Sequence, residues 1–256
     1  LTTRPLLGAA ILGRETAIQE VVWEDGWLRL ASGGNGPEET TTVFTKEEVT
    51  QVKNTDFLDD FNETLKSEWN TLRLMPTSSW ADLKSHPGYL RLFAGESLQS
   101  LFEQHLLAIR QKDFSFKATT NIKFHPQTFN QMAGLTLYLN DQNYVFAYLT
   151  FEEKIGKVIR LMKCVQGEFS LADVLIPCDS ESVCFKVSVD GPVAKFFYRT
   201  HSKEMWQQIG ENQNILFLAG GFTGNFVGIT VCDMDKKQGC YADFDFFEYH
   251  GEDSLF

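Results

Sequence analysis

The chain has 256 residues, 43% of them hydrophobic and 13% aromatic, and its 34 Asp and Glu against 23 Lys and Arg leave a formal charge of −11. With 22 Phe and only 22% charged residues, it holds far more buriable apolar material than disordered, collagenous or coiled-coil chains do. The acidic balance, with no Lys/Arg cluster, argues against nucleic acid and against a membrane surface as partners, since both are held by basic groups that release counterions or neutralise headgroups.

The chain opens at Leu1 in the middle of strand-like sequence, which reads as a fragment, a processed chain or one missing its leading residues. Arg4 and the short run Leu6 to Leu12 show no cleavage pattern, and the run is too short to span ~30 Å of hydrocarbon. Val21-Val22-Trp23, the turn Glu24-Asp25-Gly26 and the alternating Trp27-Leu28-Arg29-Leu30 predict a β hairpin. Residues 32–50, with Ser32-Gly33-Gly34-Asn35-Gly36-Pro37 and no apolar periodicity, read as a linker. A second unit, residues 51–256, is mostly β. Ser97 to Arg110 carries Leu98, Leu101, Phe102, Leu106 and Ile109 at near-helical spacing, but its β context favours a strand. Further strands are expected at residues 118–124, 135–139, 144–149, 158–164, 183–189, 194–199, 226–232 and 242–249, with turns at Asn140 to Asn143 and at Asp190-Gly191-Pro192. Short strands at this spacing predict an all-β antiparallel sandwich or jelly roll.

Five cysteines, Cys164, Cys178, Cys184, Cys232 and Cys240, form an odd set without zinc-ligand spacing, which reads as reduced thiols in a cytoplasmic protein. The sequon Asn62-Glu63-Thr64 matters only in a secreted chain and is discounted. No nucleophile elbow, phosphate loop or His-Glu-x-x-His motif is present, and the five His are scattered singly. Two acidic groupings stand out: Asp59-Asp60, and Asp243 and Asp245 alternating with Phe244 and Phe246. They admit two readings. One is a structural calcium site drawing on Asp60 and Asp243, because hard cations want several oxygens. The other is a solvated strand face opposite a phenylalanine core face. No other cofactor is expected.

Leu12-Gly13-Arg14-Glu15-Thr16-Ala17-Ile18-Gln19 with Asp25-Gly26-Trp27-Leu28 resembles the last segment of the catalytic propeller in β-xylosidases of glycoside hydrolase family 43. Asp59-Asp60-Phe61, Trp69 to Arg73, Gly88 to Leu92, Arg110-Gln111, Gly221 to Gly224, Phe226-Val227-Gly228 and Ala242 to Tyr249 resemble that family's C-terminal concanavalin-like sandwich. The resemblance implies residues 1–31 as the end of a five-bladed propeller and 51–256 as the sandwich. It implies an inverting, exo-acting β-xylosidase, with α-L-arabinofuranosidase activity besides, that releases xylose from xylo-oligosaccharides. The expected partners are that substrate, the catalytic propeller domain and further copies in a homo-oligomer. The catalytic carboxylates of such enzymes have no matching positions here, so none is assigned. Arg14 matches the arginine that the family directs at the sugar, a role suited to a fixed fork of donors. The Gly220 to Phe226 stretch resembles the loop with which the sandwich closes the pocket. Phe222 is favoured over Phe226 as its ring wall, because Phe226 leads into an apolar strand. A free carbohydrate-binding module and a purely structural sandwich are the alternatives.

Overall fold

Two large antiparallel sheets face each other across an apolar core in the computed structural model, which describes residues 2–38, 40–41, 55–220, 222–236 and 239–252. In chain order the strands are β1 (Val21–Glu24), β2 (Trp27–Leu30), β3 (Phe57–Asp59), β4 (Ala81–Asp82), β5 (Leu90–Phe93) and β6 (Leu106–Arg110). They continue with β7 (Ser115–Phe124), β8 (Gln131–Asn140), β9 (Asn143–Glu152), β10 (Gly156–Val165), β11 (Glu168–Leu171) and β12 (Ile176–Pro177). The last are β13 (Ser182–Asp190), β14 (Val193–Arg199), β15 (Gln207–Gln208), β16 (Gln213–Asn214), β17 (Phe226–Asp233) and β18 (Tyr241–Gly251). The seven-stranded sheet runs β11-β10-β9-β8-β17-β6 with β12 beside β10, and the nine-stranded sheet runs β15-β14-β13-β7-β18-β5-β4, with β16 on β14 and β3 on β18. No helix occurs among the described residues.

Period-2 patterning places the core. On β7 the alternate residues Phe116, Ala118, Ile122 and Phe124 face inward, as do Val183, Phe185, Val187 and Val189 on β13. They meet Leu135, Leu137, Val145, Ala147, Leu149, Val227 and Ile229 from the opposing sheet. The seven-stranded sheet is covered on its other face too: Met132, Tyr138, Tyr144, Phe146 and Tyr148 pack there with Leu98 and Leu106 in a second cluster. That double burial explains why β8 and β9 read as nearly continuous apolar runs rather than alternating ones. The β8–β9 turn closes at Asn140 opposite Asn143, with Asn140 Oδ1 accepting from Gln142 N at 3.1 Å.

Two expectations are corrected. Of the stretch 97–110 only Leu106–Arg110 is a strand. The residues before it form a loop that turns Leu98 onto the second cluster and leaves Leu101 and Phe102 exposed, so its helix-like spacing marks no element. On β18 the alternation of Asp243, Phe244, Asp245 and Phe246 is broken by a register shift between Phe244 and Phe246. The extra residue resets the phase: Phe244, Phe247 and Tyr249 enter the core, while Phe246 does not.

The hairpin β1–β2 is a separate two-stranded sheet. Its apolar side chains Val21, Val22, Trp23, Trp27 and Leu28 are exposed, Trp23 at 74%. The sequence-expected linker lies partly in residues 42–54, outside the described residues.

Candidate functional site

Residues 11–14 and 222–225 meet as two backbones in direct contact, and their glycines dictate how closely. Ile11 and Leu12 are buried against the sandwich. Gly13 then takes a left-handed φ of +71°, and a Cβ built on it would lie 2.3 Å from Gly224 N. Gly224, at φ +72°, answers in kind, its Cβ position being 2.4 Å from the Leu12 carbonyl carbon. No other residue type fits either position. Around this contact Arg14 N donates to Phe222 O at 3.0 Å and Asn225 N to Ile11 O at 2.8 Å.

Side chains of the sandwich lock the junction from beneath. Arg110, at the end of β6, donates through Nη2 to Leu12 O at 2.7 Å and to Arg14 O at 2.8 Å, bracketing Gly13. The buried amide of Asn225 donates to Gln111 Oε1 at 2.8 Å, and Gln111 Nε2 donates to Asp113 O at 2.8 Å. Asp113 is held in turn, its Oδ2 accepting from Tyr249 Oη and from Thr55 Oγ1, each at 2.7 Å. A chain of hydrogen bonds therefore runs from the core tyrosine to the loop, and at its end the buried Asn225 Oδ1 meets no donor among the described residues.

On this base stand the two residues singled out from the sequence. The Arg14 guanidinium lies 5.1 Å from the centre of the Phe222 ring, within cation–π range. Phe222 is 70% exposed and Arg14 is exposed as well. The neighbouring carboxylate, Glu15, is taken by Arg4, whose Nη2 and Nε reach it at 2.7 and 2.9 Å. Among the described residues no carboxylate forms an ion pair with Arg14. Phe226, the other candidate ring, sits at the start of β17 and packs against the second apolar cluster.

Asp60 and Asp243 are engaged separately. Asp60 is exposed and accepts from Asn62 Nδ2 at 2.8 Å and Asn62 N at 3.3 Å, bonds that hold its carboxyl below the usual range. Asp243, buried on β18, receives Arg91 Nε and Nη2 at 2.7 and 2.8 Å and faces His86 Nδ1 at 2.8 Å. Burial alone would raise its pKa, but the Arg91 and His86 hydrogen bonds and charges outweigh that and lower it. Both carboxylates are thus occupied by nitrogen donors, and among the described residues no group of three or more His, Cys, Asp or Glu could hold a metal. The donor set is a poor fit to calcium. Asp59 instead organises its own loop, accepting from Phe61 N, Lys66 N and Trp69 Nε1 at 3.1, 3.2 and 2.7 Å.

Sequence reasoning missed the roles of Arg110, Gln111 and Asn225. Arg110-Gln111 stood out as a motif, but Arg110 acts on carbonyls 98 and 96 residues away, a relation no local pattern encodes.

Comparison with known proteins adds the following. The family model described as the beta xylosidase C-terminal concanavalin A-like domain (GH43_C2) matches residues 58–250. The beta-xylosidase of Bacillus subtilis strain 168 is 33% identical over 253 residues, an alignment covering 94% of this chain and 47% of that protein. The xylan 1,3-beta-xylosidase of a Vibrio species is 30% identical, covering 94% of this chain and 46% of that protein. The crystal structure of xylan beta-1,4-xylosidase from Bacillus halodurans C-125 superposes with a TM-score of 0.89 at 34% identity, covering 97% of this chain and 49% of that one. The chain spans about half the length of each.

Proposed function

The chain belongs to the family of β-xylosidase C-terminal concanavalin A-like domains, and from that premise we propose that it is the C-terminal part of an inverting, exo-acting β-xylosidase. In this reading residues 1–31 complete a catalytic propeller that precedes them, and the sandwich closes the pocket in which xylo-oligosaccharides are trimmed. The exposed hairpin supports it: an isolated two-stranded ribbon is marginal in water, and one showing Val21, Trp23, Trp27 and Leu28 to solvent needs a covering partner. The relatives carry about as much chain again to supply one.

The observation that carries the proposal is the Arg14–Phe222 pair. Here an exposed guanidinium, with no carboxylate partner among the described residues, is fixed over an exposed ring on a junction of two locked backbones. Arg14 offers the sugar a rigid fork of charged donors at any working pH. Phe222 supplies an apolar wall that keeps water from the sugar and limits how many units fit. The acid and base that cleave the bond belong to the other half of the enzyme. For inversion they must stand roughly 6.5–9.5 Å apart, with a water between.

The test is Arg14→Ala in the full-length protein assayed on nitrophenyl β-xyloside. A charged hydrogen bond to a substrate oxygen is worth ~1.5–3 kcal/mol, so kcat/KM should fall about 10- to 150-fold. Unchanged kcat/KM would remove Arg14 from the site. The arabinofuranosidase activity expected from the resemblance is read on the matching arabinofuranoside in the same assay.

A further inference from the structure

A cleft of about 650 Å³ opens on the nine-stranded sheet where β5, β18 and β7 lie side by side. It shares no residue with the Arg14–Phe222 site. Arg91, Asp243 and Lys123 form one cross-strand row in it, paired Arg91 to Asp243 and Asp243 to Lys123. The row is braced on both sides by rings. The Arg91 guanidinium lies 3.8 Å from the centre of Tyr241, and Lys123 Nζ lies 4.6 Å from the centre of Tyr89, which itself stacks on His86 at 4.0 Å. Tyr241 remains 39% exposed.

The charges are matched one against another. Arg91 forms a bidentate pair with Asp243, and the Lys123 ammonium, held first by Tyr89, also feels the carboxylates of Glu181 and Asp243 in the lining. The lining therefore carries no large field of one sign, which argues against an anion or a cation as ligand. It is also polar, which argues against a lipid or another apolar ligand. Spare hydrogen-bonding capacity remains. Arg91 uses two of its five N–H groups on Asp243, and the carboxylate, with about four acceptor positions, meets three donors. These groups already hold one another in place, so a ligand would freeze little side-chain motion on binding.

Polar groups of both kinds, charge-balanced and preorganised beside a partly exposed tyrosine ring, match a ligand whose groups both donate and accept and whose body has apolar faces. We propose that this cleft binds a neutral saccharide chain. Its volume falls within the roughly 300–1,000 Å³ of ligand pockets, room for a short oligosaccharide. That the sugar is xylan rests on the proposed function; that it is neutral and polyhydroxylated rests on the cleft.

The experiment is calorimetric titration of the full-length protein with a thio-linked xylopentaose that it cannot hydrolyse, alongside Tyr241→Ala and Lys123→Met. Neither substitution removes a hydrogen-bond partner from Asp243. Two binding sites are expected in the wild type. Each variant should weaken one of them at least tenfold while leaving turnover of nitrophenyl β-xyloside unchanged. A single site in the wild type, or two sites of unaltered affinity in both variants, overturns the proposal. So does tenfold tighter binding at this site of an oligomer bearing hexuronate groups, since that would show an anion receptor. Failure to cleave the nitrophenyl xyloside would refute the proposed function instead, and the stoichiometry would still report on the cleft.

Discussion

Replacing Gly13 by Ala tests whether the junction beneath Arg14 is as tight as its geometry demands. The new Cβ would stand 2.3 Å from Gly224 N, 2.6 Å from Thr223 C and 2.8 Å from Gly224 Cα. Non-bonded heavy atoms rest at about 3.5–4.0 Å, so the two backbones must part by about an ångström. Parting breaks the 3.0 Å bond from Arg14 N to Phe222 O and the 2.8 Å bond from Asn225 N to Ile11 O. Each is worth ~0.5–1.5 kcal/mol, and a left-handed L-residue costs ~1–2 kcal/mol more. The expected destabilisation is roughly 2–5 kcal/mol. Gly8→Ala is the control, since Gly8 has φ +84° but no atom within 4 Å of its Cβ position, and should show the backbone cost alone. Urea unfolding compares the two. Amide exchange at Arg14 and Asn225 then detects the case in which residues 2–15 undock while the sandwich stays folded. If Gly13→Ala costs no more than Gly8→Ala and both amides keep their protection, the tight junction is wrong.

Three further outcomes follow from the same structure. Arg110→Met strips a charged donor from the Leu12 and Arg14 carbonyls and should cost ~1.5–3 kcal/mol in urea unfolding, with Arg110→Lys recovering part; equal stability of all three proteins contradicts it. Asp243→Asn breaks a largely buried pair with Arg91 and should cost about 3 kcal/mol at pH 7. Because the folded Asp243 carboxyl titrates below its unfolded value of about 3.9, the wild-type advantage is full above that pH and is lost as pH falls through the folded value; a gap that widens in acid refutes this. All five cysteines are free thiols. Burial pushes Cys232 up to about 12, and burial followed by Asp233 does the same to Cys240, so at pH 8 neither should be labelled quickly by a disulfide reagent until guanidinium unfolds the chain.

The sandwich was legible wherever one face of a strand is wet. β13 and β14 alternate cleanly and turn at Gly191, so their span and register follow from period-2 pattern and turn chemistry alone. Legibility failed where tertiary contacts set the conformation. The bulge in β18 is invisible in Asp243-Phe244-Asp245-Phe246, because the residues on either side of it still alternate by polarity. A calcium reading built on that alternation therefore meets an Asp243 already claimed by Arg91 and His86. The two-residue strand β4 and the short β3 are shaped by the edges they join and have no pattern of their own. The Arg14–Phe222 site was legible only as a resemblance. Nothing within either segment shows that Gly13 and Gly224 touch, nor that Arg110 brackets the contact.

Arg14 has no ion-pair partner among the described residues of a chain carrying 34 acidic residues, and the local geometry shows how its nearest carboxylate in sequence is kept from it. Thr2 and Glu15 pair as an antiparallel bridge, with bonds of 2.9 Å between their backbones in both directions. In such extended backbone the side chains of Arg14 and Glu15 leave on opposite sides. Arg4, two residues beyond Thr2, closes a bidentate pair on Glu15 and lies over the Phe114 ring at 5.4 Å. As a surface ion pair it adds little to stability. Its effect is selective: it removes the one carboxylate adjacent in sequence, so that the Arg14 donors stay uncommitted above Phe222. The −11 charge of the chain thus bears on the site through what is kept away from it, as a neutral sugar bound through hydrogen bonds to its hydroxyls would require.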